Sequence, residues 1–298
     1  MTARATILVT GATGNVGRQI LAHLLAKPDV AIRAMVRTPA MADLPDGVEV
    51  VRGNLAEPES LHGCLRGVDA VFLMWPLHTG EVLPAVLEVI ATQARRVVFL
   101  GSGGVGDLTM DQQQQLIEQR GLESTVIRPS TFAVNALWWA KQIRAGDVVR
   151  GAYGELPLAM LHEADIAAVA VQALTSDGHD GATYRLTGPQ VLSQAEQVRI
   201  IGEAIGRPLR WEELSPQDAR QQLVADGFPP SFVDVLLDAY ATMITWPVPE
   251  ITTTIEAVTG TPARTFRQWV IDHATDFQST TGVLPQPVQH EQTTGRER

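Results

Sequence analysis

Cysteine is almost absent from this 298-residue chain. Cys64 stands alone, so no internal disulfide can form. Lysine is nearly absent too, with only Lys27 and Lys141. Arginine supplies the rest of the positive charge, a skew we read as codon usage in a GC-rich genome rather than as function. Acidic residues outnumber basic ones by 33 to 23, for a formal net charge of −10. That balance argues against direct nucleic-acid contact, because phosphate binding needs clustered Lys and Arg. No run of 18 or more apolar residues suggests a membrane span. The opening "MTARATILVTG" lacks the apolar stretch of a signal peptide, and the expected location is the cytoplasm. His23, His62, His78, His162, His179, His273 and His290 are scattered. None pairs with another His or Cys at ligand spacing, so no metal site is expected. "LGSGGVG" around Ser102 lacks the Gly-x-Ser-x-Gly pattern of a serine-hydrolase elbow.

What the chain does have is apolar segments in a repeating order. Hydrophobic residues make up 45% of it, enough for one large domain or a domain with an appended lobe. "ATILVT" (5–10), "VAIRAMVR" (30–37), "VEVV" (48–51), "DAVFLMW" (69–75), "RRVVFLG" (95–101) and "STVIRP" (124–129) read as strands. Helical segments separate them: 15–27, one starting near Pro58, 81–93, and one carrying "QQQQ" at 112–115. The alternation predicts an α/β fold, a doubly wound parallel sheet of Rossmann type with helices on both faces. Residues 1–130 form its core, with "ATYRLTGP" (182–189) returning to it as one more strand. Residues 131–181 and 190–277 are assigned to a smaller, mainly helical substrate-binding lobe at the carboxyl ends of the sheet. Within them, 146–163 reads as Gly-rich and irregular, and 265–277 as a last amphipathic helix. Residues 278–298 are polar, contain proline, and read as a disordered tail.

The most specific motif is "VTGATGNVG" at 9–17, lying between the first strand and the first helix. Gly11 permits a tight turn, Gly14 lets a pyrophosphate approach the backbone, and Gly17 lets the helix pack closely on the sheet. Thr13, Asn15 and Val16 fill the rest of that turn, whose free N–H groups suit phosphate. The motif predicts a dinucleotide. A site for NAD carries an acid at the end of the second strand to hold the ribose. Arg37 stands there instead and suits the 2′-phosphate of NADP, so NADPH/NADP is expected ahead of NAD. Asn54 and Leu55, after the third strand, line the adenine or form an ordinary polar turn. Met74 and Trp75, after the fourth, reach the ribose or nicotinamide; Trp75 equally suits a core position capping the sheet. Ser102, after the fifth strand, and Pro129, ending the sixth, face the same crevice.

These segments resemble the NmrA-like group of atypical short-chain dehydrogenases/reductases. The resemblance spans about 1–277 and rests on "TGATGNVG", "RAMVR", "GLESTVIRPSTFAVN", "HEADIAAVA", "GATYRLTGP" and "TGTPARTFRQWVIDHATDF". It implies NADP binding. It also implies either a reductase of quinones or triphenylmethane dyes, or an NADP-binding redox sensor or co-regulator. Set against the family's strand, "RGLESTVIRP" places the usual Tyr near Gly106, the usual Lys near Met110, and a frequent Glu at Gln114. None of the three positions ionises, so the phenol–ammonium pair that serves as proton donor is missing. The glutamine run itself reads as a solvated helix face.

Two readings remain open. In one, the protein is a reductase whose acceptor needs no dedicated acid, with Ser102, Tyr153 and His162 as candidate helpers. Tyr153 equally suits loop packing, and His162 a structural role. In the other, the protein binds NADP(H) without catalysis and reports its redox state. A small apolar or aromatic substrate fits the first, lined by aromatics such as Trp75, Trp138 and Trp139. A regulatory protein partner fits the second, and a homo-oligomer fits either.

Overall fold

The computed structural model describes residues 4–77, 79–101 and 108–278. Ser102, Gly106, His78 and the tail from 279 on lie outside the described residues. In chain order the elements run β1 (Ala5–Val9), α1 (Asn15–Leu25), β2 (Val30–Val36), β3 (Val48–Arg52), α2 (Leu61–Cys64), β4 (Ala70–Met74), α3 (Leu83–Ala91) and β5 (Arg96–Leu100). They continue with α4 (Met110–Glu118), β6 (Glu123–Pro129), α5 (Ala140–Ala145), β7 (Val148–Gly151), β8 (Leu158–Ala159), α6 (Glu163–Thr175) and β9 (Ala182–Leu186). The last are β10 (Val191–Leu192), α7 (Gln194–Ile205), β11 (Arg210–Glu213), α8 (Pro216–Asp226), α9 (Pro230–Met243), α10 (Thr254–Thr259), α11 (Phe266–Asp272) and α12 (Ala274–Gln278).

Seven strands form one sheet in the order β3-β2-β1-β4-β5-β6-β9, and every neighbouring pair is parallel. Alternate side chains of each strand point to opposite faces. Ile7, Val9, Ile32, Ala34, Phe72, Val98 and Ile127 therefore enter one core, with α1 and α6 packed on it. Leu8, Met35, Val71, Leu73, Val97, Phe99 and Val126 enter the other, covered by α2, α3 and α4. Burial on both faces is why these strands read as unbroken apolar runs. From β1 the chain steps outward to β2 and β3, then returns to β4 on the other side of β1. The carboxyl ends of β1 and β4 thus flank the point where strand order reverses, which is where ligands bind in open α/β sheets.

The chain divides into two units. The first holds the residues up to Ala133, with Ala159–Gln190 and Glu250–Thr265; the second holds Val134–Leu158, Val191–Pro249 and the residues from Phe266 on. This differs from the division at 130/131 expected from sequence. Helix α6, expected in the lobe, packs Ile166, Ala167, Val169, Ala170 and Ala173 into the α1-side core, and Ile255 of α10 joins them. The segment expected to be irregular contains β7, which pairs in parallel with β11 at Val149↔Trp211. Both strands have four residues, too short for a period to show. The final amphipathic stretch is two helices, α11 and α12, divided at His273.

One buried charge fastens α6 within the first unit. Asp165 is 1% exposed. Its carboxylate accepts the Arg264 backbone N–H at 2.7 Å and pairs with the Arg264 guanidinium. Removing one partner of such a pair strands a buried charge. Arg264→Ala should therefore lower stability by about 3 kcal/mol in a denaturant titration. A loss under about 1 kcal/mol, the range of surface pairs, would show that the pair is solvated.

Candidate functional site

The turn from β1 to α1 has the shape expected of a phosphate cradle. Gly11 has φ +61, a left-handed conformation that side chains rarely take. A Cβ there would lie 2.5 Å from Met74 Cε. A Cβ on Gly17 would lie 2.1 Å from the Gly11 carbonyl oxygen and 2.8 Å from Ala12 Cα. Both neighbours are backbone, so neither can yield. Gly14 is the N-cap of α1, in extended conformation, with no side chain capping the helix. The N–H groups at this end are left for a ligand. Thr13, Gly14 and Asn15 are exposed and Val16 is half-buried. The first turn of α1 carries no acid, the residue type that helix N-termini favour.

Two residues that the motif alone did not single out hold this turn. Thr10 Oγ1 accepts the Met74 N–H at 2.8 Å, and the Thr10 N–H donates to the Phe72 carbonyl at 3.0 Å. The turn is thereby stitched to the end of β4. Arg18 donates from Nε to the Thr13 carbonyl at 3.1 Å and from Nη1 to the Asp43 carbonyl at 2.9 Å. A cation in the first turn of a helix opposes the macrodipole. An anion at the turn would offset it, and Arg18 immediately after the last glycine was the available sequence signal.

Arg37 follows the last residue of β2. It stands three residues past Ala34, which pairs with Val9 of β1, and so borders the glycine turn. It is exposed and makes no side-chain hydrogen bond or ion pair with the described residues, leaving its fork of donors free. The residues past β3 and β4 make bonds and contacts within the chain. The Asn54 amide is used locally, accepting the Ala56 N–H at 3.1 Å and donating to Glu57 at 2.9 Å. Leu55 and Trp75 belong to the α3-side core, at 5% and 7% exposure. The Trp75 indole N–H donates to the Thr79 carbonyl at 3.2 Å. Met74 is half-buried against Gly11. Pro129 closes β6, and Ser130 beside it donates its hydroxyl to the Ala159 carbonyl at 2.6 Å.

The three candidate helpers fall in different settings. Ser102 lies outside the described residues. His162 is 3% exposed and caps α6, its Nδ1 accepting the Ala164 N–H at 3.1 Å. Tyr153 belongs to the second unit and has a left-handed backbone at φ +63.

The glutamine run is solvated only in part: Gln112 and Gln115 are exposed, Gln114 is half-buried and Gln113 is buried. Gln112 completes a capping box with Thr109, and Gln113 is 1% exposed, donating to the Leu108 carbonyl at 3.2 Å. Gln114 Oε1 accepts from Arg128 and from Thr183, each at 3.1 Å. Only Gln115 has no such use among the described residues. Cys64 is core: its thiol donates to the Leu61 carbonyl at 3.2 Å, and burial pushes its pKa up. It is therefore no thiolate nucleophile.

The aromatics expected to line a pocket belong to both units. Trp138 meets Phe228 and Phe232 edge-on, with centroids 6.0 and 5.5 Å apart. Trp269 is fully buried against Phe266, while Trp246 is 59% exposed. Trp75, Phe132 and Met160 belong to the first unit.

Comparison with known proteins agrees with this geometry. A family profile described as NAD(P)H-binding matches residues 11–177. A (4-alkanoyl-5-oxo-2,5-dihydrofuran-3-yl)methyl phosphate reductase of Streptomyces griseus is 38% identical over 91% of this chain and 99% of its own. An NAD(P)H azoreductase of Xenophilus azovorans is 35% identical, with the same coverage of 91% and 99%. Among solved structures, an NADPH-dependent quinone oxidoreductase of Escherichia coli superposes with a TM-score of 0.76 at 24% identity, over 90% of this chain and 99% of that one. The chain belongs to the NAD(P)H-binding family, and it is an NAD(P)H-dependent oxidoreductase. No helix among the described residues is long and apolar enough to cross a membrane.

Arg37 is the residue that should separate the two cofactors. Arg37→Asp should weaken NADPH binding at least about tenfold, the loss of one or two charge-assisted hydrogen bonds plus a like charge, and leave NADH nearly unchanged. Calorimetric titration of both cofactors reads the difference. An equal effect on both would remove Arg37 from the 2′-phosphate.

Proposed function

We propose that this protein is an NADPH-dependent reductase of an electron-poor, conjugated small molecule, of aromatic or quinonoid type, working without the Tyr–Lys proton donor. The observation that carries the cofactor half is the uncapped, acid-free N-terminus of α1 bordered by Arg37, unpaired among the described residues. The α1 amides hold the pyrophosphate and Arg37 the 2′-phosphate. Thr10, bonded to the end of β4, keeps the turn in register with the crevice. Bound NADPH supplies hydride there.

The acceptor half rests on what α4 offers. Met110 stands where the family's Lys falls, and the side chain of Gln114 is taken up by Arg128, Thr183 and Glu118. Neither position supplies an acid. Hydride added to a quinone, an enone or a delocalised cation leaves a stabilised anion or a neutral product, and water supplies any proton afterwards. One hydride and at most one proton per acceptor balance the reaction. The relatives' names support this class, since an azo compound, a quinone and an oxo-dihydrofuran each present a conjugated electron-poor centre. A non-catalytic sensor would share the cradle and would not turn over.

The test is NADPH oxidation by the purified protein against quinones, azo dyes and enones. Turnover of at least one class is expected; none with any class, despite tight cofactor binding, would favour the sensor. With a turned-over acceptor in hand, Tyr153→Phe and Ser102→Ala should each keep kcat within about twofold. A dedicated acid would cost about a hundredfold or more when removed, and such a loss in either variant would identify the proton donor.

A further inference from the structure

Arginines of the first unit are commonly neutralised within the chain, as Arg33 is by Glu49, Arg96 by Glu123 and Arg264 by Asp165. Arg18, Arg37 and Arg52 are exposed and have no carboxylate partner among the described residues. All three border the place where α1 meets the ends of β2 and β3, and all belong to the first unit. Arg37 follows the end of β2. Arg52 ends β3, and its partner in the parallel register is Val36, the residue before Arg37. The Gly53 N–H fixes that pairing by donating to the Val36 carbonyl at 3.0 Å. Neighbouring strands lie about 4.8 Å apart, and side chains alternate along each. Arg52 therefore leaves β3 on the same face as Val48, which packs against the core beneath α1. Leu44, in the connection from β2 to β3, packs on that core too. Arg18 approaches from α1. Its Nη1 donates at 2.9 Å to the Asp43 carbonyl, in the connection that begins at Arg37, while its Nε holds the Thr13 carbonyl at 3.1 Å. Both acceptors are neutral, so the charge of Arg18 is left uncompensated.

Like charges gathered at one spot repel one another unless an anion joins them. Acids outnumber bases in this chain by 33 to 23, yet none neutralises these three, so the anion comes from outside the chain. A phosphate monoester carries a charge of about −1.5 to −2 at neutral pH, more than Arg37 alone balances. We infer that Arg18 and Arg52 complete the 2′-phosphate site that begins with Arg37, and so determine the choice of NADP(H) over NAD(H). Arg52 brings a second guanidinium from the adjacent strand end. Arg18 brings a third and is also a positioning residue, because it ties the connection after β2 to the glycine turn. The inference rests on the NADPH reading for the identity of the ligand and on the placement of the arginines for the residues.

The experiment is calorimetric titration of the full chain with NADP⁺ and NAD⁺, which differ only in the 2′-phosphate, read as the ratio of the two affinities. Arg18→Gln and Arg52→Gln should each lower the preference for NADP⁺ about two- to fivefold, the range of one exposed ion pair, with NAD⁺ affinity nearly unchanged. The double variant should lower it further. Lys27→Gln removes the same charge beyond the far end of α1 and should leave the ratio alone, which separates a local effect from one of net charge. If Arg18→Gln does not fold, Arg18→Lys keeps the charge, loses the fork of donors, and should lower the ratio about twofold; Arg52→Gln, at an exposed strand end, carries the test beside it. An unchanged ratio in both the Arg18 and Arg52 variants would overturn the inference. So would an equal loss of NADP⁺ and NAD⁺, which would mean that the arginines only hold the turn. The NADPH reading fails separately: wild-type protein with no preference for NADP⁺ would overturn both, whereas a preference lost in Arg37→Asp and kept in the Arg18 and Arg52 variants would overturn this inference alone.

Discussion

At Gly17 the first helix lies so close to the preceding turn that a single added carbon would sit 2.1 Å from the Gly11 carbonyl oxygen. That contact fixes the geometry of the cofactor end of the sheet. It sets α1 against the end of β1, aims its uncapped N-terminus at the point where strand order reverses, and leaves the N–H groups for an anion. The sheet supplies the rigid side of the arrangement. Thr10 bonds to β4 across the reversal, and both faces of the strands are sealed by helices. A loose turn would lose the phosphate geometry without any change in the residues that touch the cofactor.

On the proposed reading the same molecule works without the Tyr–Lys proton donor. Gln112, Gln113 and Gln114 of α4 are spent on a cap, a buried bond and a bridge to β6 and β9. Helix α4 is thus a well-bonded structural helix. Hydride transfer survives such a change only when the acceptor stabilises the charge it receives, so the acceptor's electronics stand in for the missing acid. In the second unit, the bonded loop around Tyr153 is the place where backbone strain is retained.

The strands, their order of appearance and the cradle were legible because their signals are local. Buried parallel strands leave unbroken apolar runs, and a glycine turn must lie beside the strand and helix it joins. Side chains one or two residues past a strand end were not legible. Whether Trp75 or Leu55 faces a ligand or the core depends on packing by α2 and α3, and the amide of Asn54 on a turn three residues on. The bridging role of Gln114 within the glutamine run was not legible, because its partners lie 14 and 69 residues away. β7 and β11, at four residues each, were too short for a period to show, and the clamp of Glu213 on Tyr153 joins residues 60 apart in sequence.

The most direct measurement is a paired calorimetric titration of the purified chain with NADPH and NADP⁺. A reductase must bind one and release the other in every turnover, so both should bind, with affinities within about tenfold, or 1.4 kcal/mol. Binding of neither would contradict the central claim, because the turn from β1 to α1 would then be a scaffold without a ligand.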